Sequence, residues 1–365
     1  MFTNTYKNKT VLVTGHTGFK GTWLTTWLLK LGANVIGYSK DIPTEPSMFD
    51  QLKLKSRIKH IIGDIRDIDT LSKVILKEEP DFVFHLAAQA IVSKSYQDPK
   101  DTMSTNIIGT MNLLDILKDL TKPCIAILIT SDKCYDNVEW IWGYRENDQL
   151  GGKDIYSGSK GAAELVIKSY YYSFFDKNHP VKLAIGRAGN VIGGGDWAQD
   201  RIVADCMRAW NNNKTVEIRS PNATRPWQHV LEPLSGYLAL AASLKINFKL
   251  NGEAFNFGPR SEQNHTVVEL LNTLGQNYGF KDINLAYQIT DNIPFHEAGL
   301  LKLNCDKALF YLKWESNLYY FETIKLISDW YLKFYKENSD MFDYTIEQIS
   351  FFENIAIERT RSWTI

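Results

Sequence analysis

Cysteine is scarce in this chain, with four in 365 residues. Cys124, Cys134, Cys206 and Cys305 form no CxxC or CxxxH grouping, which excludes the common zinc and dithiol signatures and predicts reduced thiols. Neither sign of charge is in excess, since 41 Lys and Arg stand against 42 Asp and Glu. Nucleic acid and anionic membrane surfaces therefore have no electrostatic claim as partners, and a small molecule fits better. Long apolar runs are missing too. Residues 23–31 are interrupted by Thr25, Thr26 and Lys30 and fall short of the roughly 18 residues that a membrane helix needs, and no charged-then-apolar leader opens the chain. The expected compartment is the cytoplasm.

What is present suffices for a large core: 44% of residues are hydrophobic and 13% aromatic, enough for one α/β domain with a smaller lobe or for two domains. In the first half, short β-branched runs at 11–13, 34–37, 61–62, 82–86, 125–129 and 183–186 read as strands buried on both faces. They alternate with helical spacings at 21–31, 68–78, 101–120 and 157–175. That rhythm predicts right-handed crossovers and an open parallel sheet. After Gly189 it loosens into Gly-, Asn- and Pro-containing connections with helices at 201–211 and 231–244, and residues 251–258 are expected to return to the first domain. The tail from about 337 onward has helical character around 344–357 and suggests no role.

The run Val11-Leu-Val-Thr-Gly15-His-Thr-Gly18-Phe-Lys-Gly21 sets a strand, glycines spaced GxxGxxG and a helix in succession. Such glycines allow a tight turn, close backbone approach to a pyrophosphate and helix-on-strand packing, with the helix N-terminus facing the phosphates. Glycines alone would also fit a plain turn; the flanking strand and helix favour a Rossmann-type doubly wound sheet binding a dinucleotide. Gly15, His16, Thr17, Gly18, Phe19 and Lys20 are the candidate cofactor residues there, His16 shaping the turn. Asp64 and Ile65 after the third strand, and Leu86, Ala87, Ala88 and Gln89 after the fourth, join them. Asp64 can accept from an adenine amino group or simply cap its loop. Asp41, about 20 residues beyond the last glycine, suits ribose hydroxyls and NAD, whereas neighbouring Lys40 argues for NADP; NAD is favoured.

The fifth strand ends Thr130-Ser131-Asp132-Lys133, placing a hydroxyl, a carboxylate and an amine where open α/β sheets bind ligands. Farther on, Tyr156 and Lys160 lie one turn apart on a helix. A phenol with an ordinary value near 10 is a poor base at neutral pH; a neighbouring ammonium and a positive nicotinamide ring favour its ionised form.

Thr14-Gly-x-x-Gly-Phe-x-Gly, Ala87-Ala88, Asn106-x-x-Gly-Thr110 and Tyr156-x-x-x-Lys160 together resemble the extended short-chain dehydrogenase/reductases. Within that group, Thr130-Ser-Asp-Lys-Cys-Tyr-Asp-Asn, Trp142-Gly-Tyr-Arg-Glu146, Arg187-Ala-Gly-Asn-Val-Ile-Gly-Gly-Gly-Asp-Trp197 and Arg225-Pro-Trp-Gln-His-Val-Leu-Glu-Pro-Leu-Ser-Gly236 closely resemble the CDP-glucose 4,6-dehydratases, over about residues 8–315. The resemblance implies a nucleotide-sugar substrate, an NAD cofactor that Asn106, Tyr156 and Lys160 help to hold, and a three-part reaction. Tyr156 takes the O4 proton as C4 is oxidised, water leaves across C5 and C6, and hydride returns to C6. It implies Asp132 as the acid for O6, Lys133 as the C5 base and Ser131 as a hydrogen-bond partner of the 4-oxygen. A lysine base requires a lowered pKa, and simple pairing of Lys133 with Asp132 is the competing reading.

The expected division is residues 1–190 as the NAD-binding domain, with a return segment near 230–260, and 191–365 as mainly the sugar-nucleotide lobe and tail. Arg201, Arg225 and Arg260 are candidates for a diphosphate, or else surface ion pairs. By resemblance Asn190, Arg201 and Arg225 belong to the nucleotide-sugar site. His229 and His296 are structural or substrate-contacting, and with no paired ligand nearby no metal is expected. Trp140, Trp142 and Tyr144 can stack on a sugar or base, or serve core or subunit contacts. Helices 101–120 and 157–175 are apolar on more than one face, as in a homodimer or dimer of dimers built on a four-helix bundle, which the resemblance also implies. The nucleobase is unread, so GDP, UDP or dTDP sugars stay open, as do an epimerase or reductase of the same fold and a dinucleotide-sensing binding protein.

Overall fold

A computed structural model describes residues 1–218, 220–290, 300–337 and 339–365. Seven parallel strands form the main sheet: β1 Thr10–Thr14, β2 Asn34–Ser39, β3 Lys59–Ile62, β4 Phe82–His85, β5 Cys124–Ile129, β6 Val181–Arg187 and β7 Ala254–Asn256. Their spatial order, β3-β2-β1-β4-β5-β6-β7, reverses direction between β1 and β4, the crevice where doubly wound sheets bind ligands.

Period-two alternation along each strand feeds both faces. Leu12, Val83, Ala126 and Leu128 turn to helices α2 (Ile68–Glu78), α3 (Gly109–Leu117) and α4 (Ile155–Phe174). Val11, Val13, Phe84 and Ile127 turn to α1 (Phe19–Lys30) and α5 (Leu231–Ile246). The expected helix over 101–120 is broken: Pro99–Met103 leads through a π-turn at Ser104–Ile108 into α3. Asn106 sits in that turn, and such bulges commonly mark functional positions.

The C-terminal tail is part of the core. Helices α6 (Tyr320–Lys336) and α7 (Met341–Glu358) cover the α1 side, where Trp27 donates to Glu353 at 2.8 Å and Trp363 stacks on Phe2 at 5.2 Å. One hydrophobic cluster thus runs from Phe2 to Trp363 and takes in both halves of the chain. Among the described residues no helix is long and apolar enough to cross a membrane.

Candidate active site

Because every strand of the sheet runs the same way, the loops after β1, β2, β3, β4, β5 and β6 all gather at one edge. The loop after β1 is a cradle of bare backbone. Gly15 has φ +77°, and a Cβ there would lie 2.7 Å from the Ala87 nitrogen; a Cβ at Gly21 would lie 2.1 Å from the Gly15 oxygen. Gly18 caps α1, so the helix starts at Phe19, two residues earlier than its spacing suggested, and its first-turn amides open onto the crevice. A dinucleotide pyrophosphate fits this turn, whose close backbone packing a side chain at Gly15 or Gly21 would disrupt. His16 is packed beneath it against Gly37, bonded to Ser39 at 2.8 Å and to His60 at 2.7 Å, and burial drives its pKa down to about 3. It therefore supports the turn as a neutral ring.

The Thr17 hydroxyl donates to the Asp41 carbonyl at 2.7 Å, fixing the loop after β2, and Asp41 itself is exposed. Lys40 is drawn toward Asp64, 3.8 Å away. Both Asp64 oxygens accept from Arg66, at 2.9 Å from its amide and at 2.6 Å from its guanidinium, so the carboxylate already serves its own loop and is held below its usual range by those hydrogen bonds. Ile65 is buried against Gly109. Asn106 is saturated: its oxygen accepts from the Gln89 amide at 2.8 Å, and its nitrogen donates to the Gln89 carbonyl at 3.1 Å and to Ser159 at 2.8 Å. It clamps the Leu86–Ala87–Ala88–Gln89 loop to the helix of Tyr156, which is a positioning role. His85, not singled out from sequence, links Thr14 at 2.8 Å to Thr110 at 3.2 Å across the switch point.

The loop after β5 is a single tight turn, Asp132–Cys134, capped by the Ser131 hydroxyl, which accepts from the Lys133 amide at 3.3 Å. Asp132 is buried, accepting from Ser131 at 3.0 Å and from Asn190 at 3.4 Å. Among the described residues Asp132 and Lys133 form no ion pair, so the simple pairing weighed above is not what this geometry contains. Asp154 caps α4, whose first turn carries Tyr156. Burial raises the Tyr156 phenol, while the Ser131 hydroxyl and the Arg201 guanidinium oppose that rise and Asp132 adds to it. Lys160 lies 6.0 Å from the Tyr156 ring centre and is pulled down to about 8 by burial. Lys20 is likewise pulled down to about 8, by burial and by Arg201 and Lys160, with Asp132 opposing. Ser131, Asp132, Tyr156, Lys160, Lys20, Asn190 and Arg201 therefore lie within reach of one another, and Arg201 acts on the Tyr156 phenol itself.

The remaining expected substrate residues have these surroundings. His229 is fully buried, edge-on to Trp23 at 5.7 Å, and accepts from the Leu231 amide at 3.3 Å, which favours the structural of its two readings, that of a core histidine. Arg260 pairs with Glu315 at 3.2 Å and lies over Tyr319, the ion-pair alternative. Arg225 sits on a two-residue strand, its guanidinium donating to the Thr224 carbonyl at 2.9 Å. Trp140 and Tyr144 pack together with Tyr135, while Trp142 is exposed. His296 lies outside the described residues. Among those residues no cluster of three or more His, Cys, Asp or Glu side chains is arranged for a metal.

The chain belongs to the GDP-mannose 4,6 dehydratase family, which residues 12–325 match. It is 46% identical over 351 residues to the CDP-glucose 4,6-dehydratase of Salmonella typhimurium, covering 95% of this chain and 97% of that one. At 26% identity it also resembles the CDP-paratose 2-epimerase of Salmonella typhi, over 79% of this chain and 88% of that protein. Solved structures share the fold: the dTDP-glucose 4,6-dehydratase of Bacillus anthracis in complex with NAD (TM-score 0.75, 19% identity, 92% of this chain and 99% of that one) and the UDP-glucose 4-epimerase of Thermotoga maritima with UDP-glucose (TM-score 0.77, 22% identity, 89% and 99%).

Proposed function

We propose that this chain converts CDP-glucose to CDP-4-keto-6-deoxyglucose and water, with NAD as its resident cofactor. The observation that carries the reading is the Ser131–Asp132 pair beside Tyr156, with Lys133 next along the same tight turn: a phenol suited to oxidation at C4 close to an acid, and an amine adjacent in the chain, suited together to elimination. An epimerase needs the first and has no use for the second. The 46% likeness to a CDP-glucose 4,6-dehydratase supports the nucleobase and the hexose.

The loop from Gly15 to Lys20 would hold the pyrophosphate, Asp41 the adenosine ribose, Asp64 and Ile65 the adenine, Leu86 to Gln89 the middle of the cofactor, and Lys160 the nicotinamide ribose. Lys40, turned to Asp64, leaves Asp41 to select NAD over NADP. Bound there, NAD supplies a hydride acceptor over the sugar and a donor once water has left. Tyr156 takes the O4 proton; burial holds its phenol above the ordinary value, and Ser131 and Arg201 oppose that rise. Lys133 removes the proton at C5 that the 4-keto group has acidified, and Asp132 gives a proton to O6, which departs as water. Lys133 then returns its proton to C5, and the proton on Tyr156 is passed to solvent while Asp132 is recharged. Asn190 and Arg201 orient the sugar, and Arg225 contacts the diphosphate. Exposed Ile108, Leu165 and Tyr172 on the helices around α3 and α4 support a homodimer through that face.

Incubation with the glucose derivatives of CDP, GDP, UDP and dTDP tests the reading. A 4-keto-6-deoxy product absorbing in alkali, formed fastest from CDP-glucose, is expected. Recovery of an isomeric hexose would replace it with an epimerase.

A further inference from the structure

Beneath the catalytic turn lies an ion pair that the mechanism above does not use. Glu164 and Arg187 have side chains only 2% and 3% exposed, and the guanidinium donates to both carboxylate oxygens, at 2.7 and 2.5 Å. Glu164 stands on α4 one turn after Lys160 and two after Tyr156, and Arg187 is the last residue of β6. Each partner also grips one end of the turn. The Thr130 hydroxyl, directly before Ser131, donates to Glu164 at 2.5 Å. At the other end Arg187 donates at 2.6 Å to the Tyr135 hydroxyl, which itself donates to Asn256 of β7 at 2.7 Å.

Desolvating two charges generally costs about as much as their attraction returns, so a buried ion pair is a poor device for stability alone and a better one for fixing a geometry. This pair is bonded to both ends of the segment whose geometry matters most, and Arg187 also donates to the Glu146 carbonyl at 3.0 Å. The acid and base of elimination lie between its two anchors, and the phenol and ammonium of the oxidation stand on the helix that supplies its carboxylate. We infer that Glu164 and Arg187 are positioning residues for elimination, holding the Ser131–Asp132–Lys133 turn at both ends and setting it in register with Tyr156 and Lys160. The catalytic part of this inference rests on the dehydratase reading; the mechanical part does not.

Thr130→Val and Tyr135→Phe each cut one anchor with little change of shape and leave the ion pair intact, which avoids stranding a buried charge. Thr130→Ser keeps the hydroxyl and loses the methyl. Hydrogen exchange of the free protein is measured first. Amides 131–135 in Thr130→Val and Tyr135→Phe should exchange roughly tenfold faster, the effect of one lost hydrogen bond, with α4 unchanged and Thr130→Ser like wild type. Single turnovers follow. In the Val and Phe variants, exchange of the C5 hydrogen with solvent and product formation should fall about tenfold to a hundredfold, while formation of the reduced nicotinamide falls far less, so that it accumulates.

A Thr130→Val protein that matches wild type, a Thr130→Ser protein as slow as Thr130→Val, or oxidation and elimination declining in parallel would each overturn the inference. A wild-type protein that dehydrates no glucose nucleotide would overturn the dehydratase reading instead, and the exchange of amides 131–135 would still decide whether the pair holds the turn.

Discussion

Replacing Gly189 with alanine would put a methyl carbon 1.8 Å from an Asp132 carboxylate oxygen and 1.9 Å from its carboxyl carbon. Ordinary contact begins at 3.4 Å, so the carboxylate must retreat by about 1.6 Å. Gly189 is not among the glycines with positive φ, so the backbone itself tolerates alanine and the effect is purely steric. The retreat would break the 3.0 Å bond from Ser131 and the 3.4 Å bond from Asn190. Misplacing a reacting group by about 1 Å costs on the order of a hundredfold in rate, and overpacking costs about 1–3 kcal/mol of stability. The Gly189→Ala protein should therefore stay folded, bind nucleotide sugar nearly as before and turn over about a hundredfold more slowly. Stopped-flow absorbance of the reduced nicotinamide should show an intact first oxidation, and the alkali-absorbing product should appear late. Wild-type turnover, or an oxidation step slowed as much as elimination, would refute the assignment of Asp132 as the acid.

Gly21→Ala, which crowds the Gly15 carbonyl, should weaken NAD binding at least about tenfold in a titration without unfolding the protein; unchanged affinity would remove the glycine cradle from the cofactor site. Lys160, held near 8 against an ordinary 10.5, loses its positive charge as pH rises through that value, so kcat should fall on the alkaline side with a midpoint near 8. Lys160→Arg should abolish that limb at a reduced rate, and a limb that survives there but vanishes in Lys20→Arg would identify Lys20, also near 8, as the titrating group. Trp363→Ala should cost about 3–5 kcal/mol in urea unfolding, because the ring stacks on Phe2 and Phe352 inside the core; a surface tail would lose almost nothing.

The sheet was legible because each strand of a doubly wound fold announces itself locally, by a β-branched run followed by helical spacing. The glycine turn and the Tyr156–Lys160 pair were legible for the same reason. What escaped depends on which strands become neighbours. Thr130, Glu164, Arg187 and Asn256 meet only because β5, β6 and β7 lie side by side, although Glu164 at one further helical turn from Lys160 was a hint. Nothing in the local pattern marks Gly189, and only the Asp132 carboxylate pressed against it shows why a side chain there would crowd the acid. By sequence Arg260 is open as a diphosphate contact or a surface ion pair, and His229 as a structural or substrate-contacting residue. Burial favours the structural reading of His229, and the Glu315 contact supplies the ion pair for Arg260. The tail could be read as helix but not placed, since its partners Phe2 and Trp27 stand at the far end of the chain.

Deuterium at C4 of CDP-glucose tests the central claim most directly. If one pocket oxidises C4, expels water and returns the same hydride, the label should appear at C6 of the 4-keto-6-deoxy product with none lost to solvent. Label recovered at C4 of a sugar epimer, or washed out into water, would contradict it.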